Sequence, residues 1–192
     1  MDVREISKQD AKILIEKYHY LGDRDFRCKV AYGLFDNDRL VGVAVFHSVS
    51  APETVVGLFG LERDEQDGIY ELGRFVLHPD YNGHNNATWF LSRAIKIFRQ
   101  TYDVGAILTY ADSDYHVGKI YQAYGFDYYG LTAPKKDFWV QLSDGSWKIK
   151  HRGKTRGIKG EWRPRSRKHR YLRVYWNRLK SRIKWKKCPY PK

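Results

Sequence analysis

Short alternating runs and helical-period runs follow one another along most of this chain. Val3–Ile6 alternates as a strand does, and Ser7 then stands where a helix N-cap belongs. Behind it Ala11, Leu14, Ile15 and Tyr18 recur at helical spacing. Two strand-like runs, Lys29–Phe35 and Leu40–His47, flank Asp36-Asn37-Asp38-Arg39, a set of residues suited to a hairpin turn. Residues 49–69 lose any period and read as a loop holding a short apolar insert, Val55–Leu61. Tyr70–Leu77 is a further strand ending at His78-Pro79, and the polar loop Asp80–Asn86 leads into a helix over Ala87–Tyr102. A strand at Val104–Tyr110, a helix at Tyr115–Tyr124 and strands near Tyr128–Leu131 and Phe138–Leu142 complete the body.

Past Trp147 the pattern changes. Residues 148–170 mix Gly, Arg and Lys in irregular order. Leu172, Tyr175 with Trp176, Leu179 and Ile183 then sit three to four apart and predict a helix over Arg173–Trp185. That stripe would dock on the body and leave a basic outer face. The expected organisation is an α/β body over 1–147, a mixed, mostly antiparallel sheet flanked by helices, with a C-terminal extension over 148–192.

Charge sharpens this division. The net of +13 conceals 16 Lys and Arg against 21 Asp and Glu over 1–147, and 19 against Glu161 alone over 148–192. Such an extension gains from releasing the counterions of a nucleic acid. Trp162, Tyr171, Tyr175, Trp176 and Trp185 interleave with the bases and can stack on nucleobases, which favours nucleic acid over an anionic membrane or an acidic protein. Arg163, Arg165, Arg167, Lys168, Arg170 and Arg173 are the candidate phosphate contacts. With 42% apolar residues, 192 residues suffice for one real core. The apolar runs are too short to cross a bilayer, and MDVREISKQD is no signal peptide, so a cytoplasmic protein that is neither secreted nor membrane-bound is expected. Cys28 and Cys188 show no metal-type spacing.

The most informative stretch is Tyr110–Phe126, YADSDYHVGKIYQAYGF, where an apolar strand delivers polar side chains at the mouth of a helix. Ligands collect at such junctions. Its ending resembles the last block of the GNAT acyltransferase fold, and the order of elements over about 1–142 is that of the same fold, with its sheet splayed between the fourth and fifth strands. Four stretches together resemble a narrower group, the phage DNA-modification family called Mom. They are Tyr18-His19-Tyr20 with Gly22; Tyr32-Gly33-Leu34-Phe35 with Val41-Gly42-Val43; Glu71-Leu72-Gly73-Arg74; and Tyr110-Ala111-Asp112 through His116-Val117-Gly118 to Ile120-Tyr121-Gln122-Ala123. Lys168-His169-Arg170-Tyr171 and the final Pro189-Tyr190-Pro191-Lys192 also look like members of this group. The resemblance implies alteration of the exocyclic amine of adenine in DNA with a carbamoylmethyl group, which shields phage DNA from restriction in the infected host cell.

Residue by residue, the resemblance makes Arg74 a catalytic-site residue, and its five-donor fork suits an oxyanion or a donor carboxyl group. Glu71 and Arg74 are three apart, so both face one cleft only if a bulge intervenes. Asp112 is either the cap of the next helix or a carboxylate that accepts the proton of the adenine amine. Tyr121 matches the tyrosine that protonates a departing thiolate in this fold. His19 and Tyr20 are carried as substrate-pocket residues, with Glu71 and His116 beside them. With Asp112 or Glu71, His19 could also build a metal site, though no spacing demands one.

Before the third helix Tyr81-Asn82-Gly83-His84-Asn85-Asn86-Ala87 has one glycine where acyltransferases of this fold carry a glycine-rich pyrophosphate turn. Gly83, His84, Asn85 and Asn86 are nevertheless the candidate cofactor loop, and acetyl-CoA or another activated acyl donor is the expected cofactor. The rival readings are an N-acetyltransferase acting on aminoacyl-tRNA or on basic protein amines, and a non-catalytic nucleic-acid-binding module that uses only the extension.

Overall fold

The computed structural model describes residues 1–22, 26–83, 85–150, 153 and 155–192. Strand β1 (Asp2–Ile6) is followed by helix α1 (Lys8–Tyr18), whose first turn is capped by Ser7 accepting from the Asp10 amide at 3.0 Å. Strands β2 (Val30–Asp36) and β3 (Arg39–Ser48) form the expected hairpin, with Asn37 at positive φ in its turn. Then come α2 (Pro52–Phe59), β4 (Ile69–Leu77), α3 (Asn86–Thr101), β5 (Ala106–Asp112), α4 (Lys119–Tyr124) and β6 (Asp127–Leu131).

The presumed loop at 49–69 is therefore partly helical. Pro52 occupies the helix start and Gly60, at φ 68°, ends it in the left-handed conformation, a punctuation that was readable in the sequence. The apolar insert is this helix and its exit: Val55, Leu58, Phe59 and Leu61 are buried. The helix expected from Tyr115 starts only at Lys119, because Gly118 takes φ 77° and breaks the run, and 113–115 form a turn instead.

The largest correction lies beyond Trp147. The extension is not an appendage. Residues Lys168–Val174 form a strand, β10, which lies inside a seven-stranded sheet of order β1-β2-β3-β4-β5-β10-β6. A division of the chain at 147 would thus cut through one sheet. The helix expected over Arg173–Trp185 reduces to a single turn, α5 (Asn177–Lys180). Its apolar residues do pack on the body: Leu172 and Leu179 are buried in one cluster with Leu58, Phe59 and Leu108, against which Trp176, Ile183 and Trp185 lean. Between β6 and β10 the chain builds a second, three-stranded sheet of order β8-β7-β9, from β7 (Lys135–Gln141), β8 (Trp147–Ile149) and β9 (Gly160–Arg165).

The main sheet carries α1 on one face, through Ala11, Leu14 and Ile15, and α3 on the other, through Phe90, Leu91, Ile95 and Phe98. Phe46 and Phe98 stack at 4.3 Å across the α3 interface. Buried aromatic residues of this size contribute about 1.5–3 kcal/mol each relative to exposure.

Strands β1 to β4 form an antiparallel meander, and β4 runs parallel to β5. The parallel pairing runs from Ile69–Ala106 to Leu72–Thr109 and ends there. At that point β4 bulges: Val45 of β3 faces Arg74 while Phe46 faces Leu72, so Gly73 is the extra residue. Thr109 pins the fork by donating its hydroxyl to the Leu72 carbonyl at 3.0 Å. Beyond it β4 and β5 diverge, and the functional cleft opens between them.

Candidate functional site

The cleft encloses about 660 Å³, and its lining includes Glu71, Gly73, Arg74, Phe75, Val76 and Leu77 of β4. The bulge at Gly73 is the reason Glu71 and Arg74, three residues apart, both reach it. There is no room at Gly73 for a side chain: a Cβ would lie 2.0 Å from Nε2 of the buried His47. Arg74 donates to the Gly73 carbonyl at 2.8 Å, and Glu71 accepts from the Ser50 amide at 3.0 Å. Tyr110 of β5 joins them, its hydroxyl pKa pushed up by burial and by the Glu71 charge.

One wall is aromatic and polar. His19, at the C-terminal end of α1, stacks on Tyr20 at 4.5 Å, and Tyr20 stacks on Tyr115 at 4.3 Å with His116 at its edge. Burial, then the charge of Arg74 and of His116, lowers the His19 pKa to about 4. His116 is lowered mainly by burial. Both rings are therefore neutral at neutral pH. The Nδ1 of His19 accepts from the Leu21 amide at 3.1 Å, and that of His116 from the Gly118 amide at 3.2 Å. With Nδ1 as acceptor, the neutral ring carries its proton on Nε2 and presents a donor, so neither histidine is arranged as a base. The Tyr20 hydroxyl is pushed up to about 12 by burial and the nearby Asp112 charge.

Tyr121 of α4 lines the same cleft and is almost wholly buried, with its ring against Phe126 and Tyr171. Burial raises its pKa, which keeps the phenol protonated across the neutral range. Asp112 ends β5 and is 3% exposed. Its Oδ1 accepts from the Asp114 amide at 3.1 Å, and its Oδ2 accepts from the Ser166 hydroxyl at 3.0 Å and from the Lys168 ammonium. Burial alone would raise this carboxyl, but the hydrogen bonds from Lys168, the Asp114 amide and Ser166 outweigh it and hold the pKa below its ordinary value. Ser166 and Lys168 line the cleft, with Asp112 behind them. Asp112 does not cap α4, whose N-cap is Gly118; it holds the turn after β5 and stands one hydrogen bond from the cleft, behind Ser166 and Lys168.

The Mom protein family profile matches residues 1–192, the whole chain. The chain belongs to the Mom protein family. A search of curated proteins returned no match. Solved structures with the same fold include the IAA acetyltransferase of Bacillus cereus ATCC 14579, 13% identical, TM-score 0.56, covering 91% of this chain and 99% of that one. The acetyltransferase of GNAT family from Streptococcus pneumoniae is 11% identical, TM-score 0.53, over 91% and 99% of the two chains. The Bacillus subtilis acetyltransferase in complex with CoA is 14% identical, TM-score 0.52, over 91% and 97%. The architecture is the GNAT fold, as the order of elements predicted.

Among the expected cofactor residues, Asn85 takes φ 62° just before α3, and Asn86 ties the loop down by donating its side chain to the Tyr81 carbonyl at 3.2 Å. Cleft contact comes from either side of them, through Asn82 and Ala87 rather than Gly83, Asn85 or Asn86. His84 lies outside the described residues. The 16-residue helix α3 starts beside the cleft, and among the described residues β4 has no partner strand on its β5 side past Leu72. A helix N-terminus and an open strand edge suit an extended acyl carrier with an anionic segment. Among the described residues, no three His, Cys, Asp or Glu side chains gather as a metal site requires.

The six basic residues expected to hold phosphate divide. Arg167 donates to the Thr132 carbonyl at 2.7 Å, Arg170 to the Tyr129 carbonyl at 2.5 Å and Arg173 to the Gly125 carbonyl at 2.5 Å, while Lys168 pairs with Asp112. These four tie β10 to its surroundings. Arg163 and Arg165 stand on the small sheet, beside Glu161 and Asp137. Lys168, Ser166, Arg165 and Lys135 in the cleft wall are the residues sequence reasoning misplaced or missed, since only the insertion of β10 beside β5 brings them there.

Proposed function

We propose that this protein is a transferase that modifies the exocyclic amine of adenine in DNA with an acyl-type group. The single observation that carries the reading is the fork of β4 and β5, which gathers Arg74, Tyr121 and the Asp112–Ser166–Lys168 cluster around one cleft in a chain of the Mom family. Arg74 is placed to hold a donor carbonyl or carboxyl oxygen with its guanidinium. His19, Tyr20 and His116 line the cleft; the open end of the stack formed by His19, Tyr20 and Tyr115 suits an adenine ring extruded from its own stack, and the Nε2–H groups can donate to ring nitrogens. When the amine attacks, its proton passes to Ser166 as the Ser166 proton moves to Asp112. The Tyr121 phenol supplies a proton to the leaving group. An acyl carrier such as coenzyme A would supply the activated carbon, held by the α3 N-terminus and the open edge of β4.

The test is nucleoside digestion and mass analysis of DNA from cells expressing the protein. Deoxyadenosine of increased mass, lost in the Arg74→Ala protein, is the expected result. Unaltered deoxyadenosine with soluble, folded protein would overturn the reading, and altered aminoacyl-tRNA in its place would favour acetylation of that substrate.

A further inference from the structure

Residues 132–168, from the end of β6 to the start of β10, carry twelve Lys and Arg against three Asp and Glu, a net of +9. Of these, Lys135, Lys136, Lys148, Arg163 and Arg165 lie on the strands of the small sheet β8-β7-β9. Its register, Lys135 opposite Arg165, Asp137 opposite Arg163 and Trp139 opposite Glu161 and Ile149, puts Lys135, Arg163, Arg165, Trp139 and Trp147 on one face. Lys135 and Arg165 line the cleft. The same face continues outward to a layered stack in which the Arg163 guanidinium lies 4.3 Å from the Trp147 ring centre and 5.0 Å from that of Trp139. Glu161 holds Arg163 in place from the strand. Trp147 remains 37% exposed.

We propose that this face is a stacking platform for the nucleotides that flank the reacting base, and that its occupant is a single strand of nucleic acid leading into the cleft. The charge of the segment complements a phosphate backbone, with Lys135 and Arg165 at the junction of platform and cleft. A base lies on the open side of Trp147, whose ring is already oriented by Arg163, so little side-chain freedom is lost on binding. A polyanion without bases uses the charge but not the rings. The inference rests on the reading that nucleic acid is the substrate, yet it concerns binding in the absence of any donor and fails separately from it.

The experiment compares equilibrium binding of the full chain to a single-stranded oligonucleotide of about fifteen nucleotides, to an abasic strand of equal length, and to heparin. Wild type should bind the base-bearing strand roughly tenfold or more tighter than the abasic one. Trp147→Ala should remove that difference and leave heparin affinity and the salt dependence unchanged, while Trp147→Phe should keep it. Equal binding of the two strands by wild type overturns the platform, and so does a Trp147→Ala protein that still prefers bases. If Trp147→Ala weakens heparin binding as well, the Phe variant decides: retained preference supports stacking, and lost preference overturns it. Intact modification of adenine alongside a failed platform would leave the catalytic reading standing.

Discussion

Asp112 at the end of β5 and Lys168 at the start of β10 lie opposite each other in the sheet register and form an ion pair whose carboxylate is nearly buried. The pair joins the end of β5 to a strand more than fifty residues on, at the wall of the cleft. Removing one partner leaves the other charge poorly solvated.

Lys168→Met should therefore destabilise the fold by about 3 kcal/mol in urea unfolding, and more than the double variant Asp112→Asn with Lys168→Met. The folded Asp112 carboxyl sits below its ordinary value of 3.8. Its contribution to stability is thus present above that value and disappears as the pH falls through the lower folded pKa. Asp112→Asn should flatten the acid limb of the stability curve; an unchanged limb would show that the pair does not matter for folding.

Arg74→Lys should be nearly inactive in adenine modification, because an ammonium cannot provide a planar forked donor set. Arg74→Met should also raise the His19 pKa from about 4, by NMR titration, but not to 6.5, since burial is its larger cause. A folded histidine of lowered pKa binds fewer protons than the unfolded one, so His19 makes stability rise with pH between about 4 and 6.5. A His19 titration unmoved in Arg74→Met would refute the coupling.

Tyr121→Phe keeps the packing against Phe126 and Tyr171 and deletes only the hydroxyl. Modification should fall on the order of a hundredfold, the scale of general-acid catalysis, with the melting temperature little changed. Wild-type activity in this variant would remove Tyr121 from the mechanism.

Gly73→Ala should cost about 1–3 kcal/mol, because the added methyl meets the buried His47 ring. His47→Ala should relieve much of that loss in the double variant. If Gly73→Ala is as stable and active as wild type, the bulge does not depend on the missing side chain.

Trp176 fills a notch floored by Gly68 and Gly105, where a Cβ on either glycine would lie 2.2 Å from the indole, and its Nε1 donates to Asp103 at 3.2 Å. Trp176→Ala should destabilise by about 3 kcal/mol. A chain ending at residue 147 should not fold at all, since it would lack β10, the strand that joins β6 to β5. A cooperative thermal transition in that fragment would contradict this.

The hydrophobic pattern of the first 131 residues determined the strands, α1 and α3, because each buries one face and the burial writes its period into the sequence. The motif residues His19, Tyr20, Glu71, Arg74, His116 and Tyr121 were legible through the family resemblance rather than through periodicity, and all of them line one cleft. What lies after Trp147 was not legible in this way. Leu172, Trp176, Leu179 and Ile183 have helical spacing, yet Leu172 belongs to a strand and Leu179 to one turn, and each is buried by partners distant in the chain. Which strand lies beside β5, that Lys168 thereby meets Asp112, and that a basic sheet stands at the cleft mouth are matters of nonlocal pairing. A strand's own side chains specify that one of its faces is buried but not the neighbour that accepts its hydrogen bonds, so only the tertiary structure could decide them.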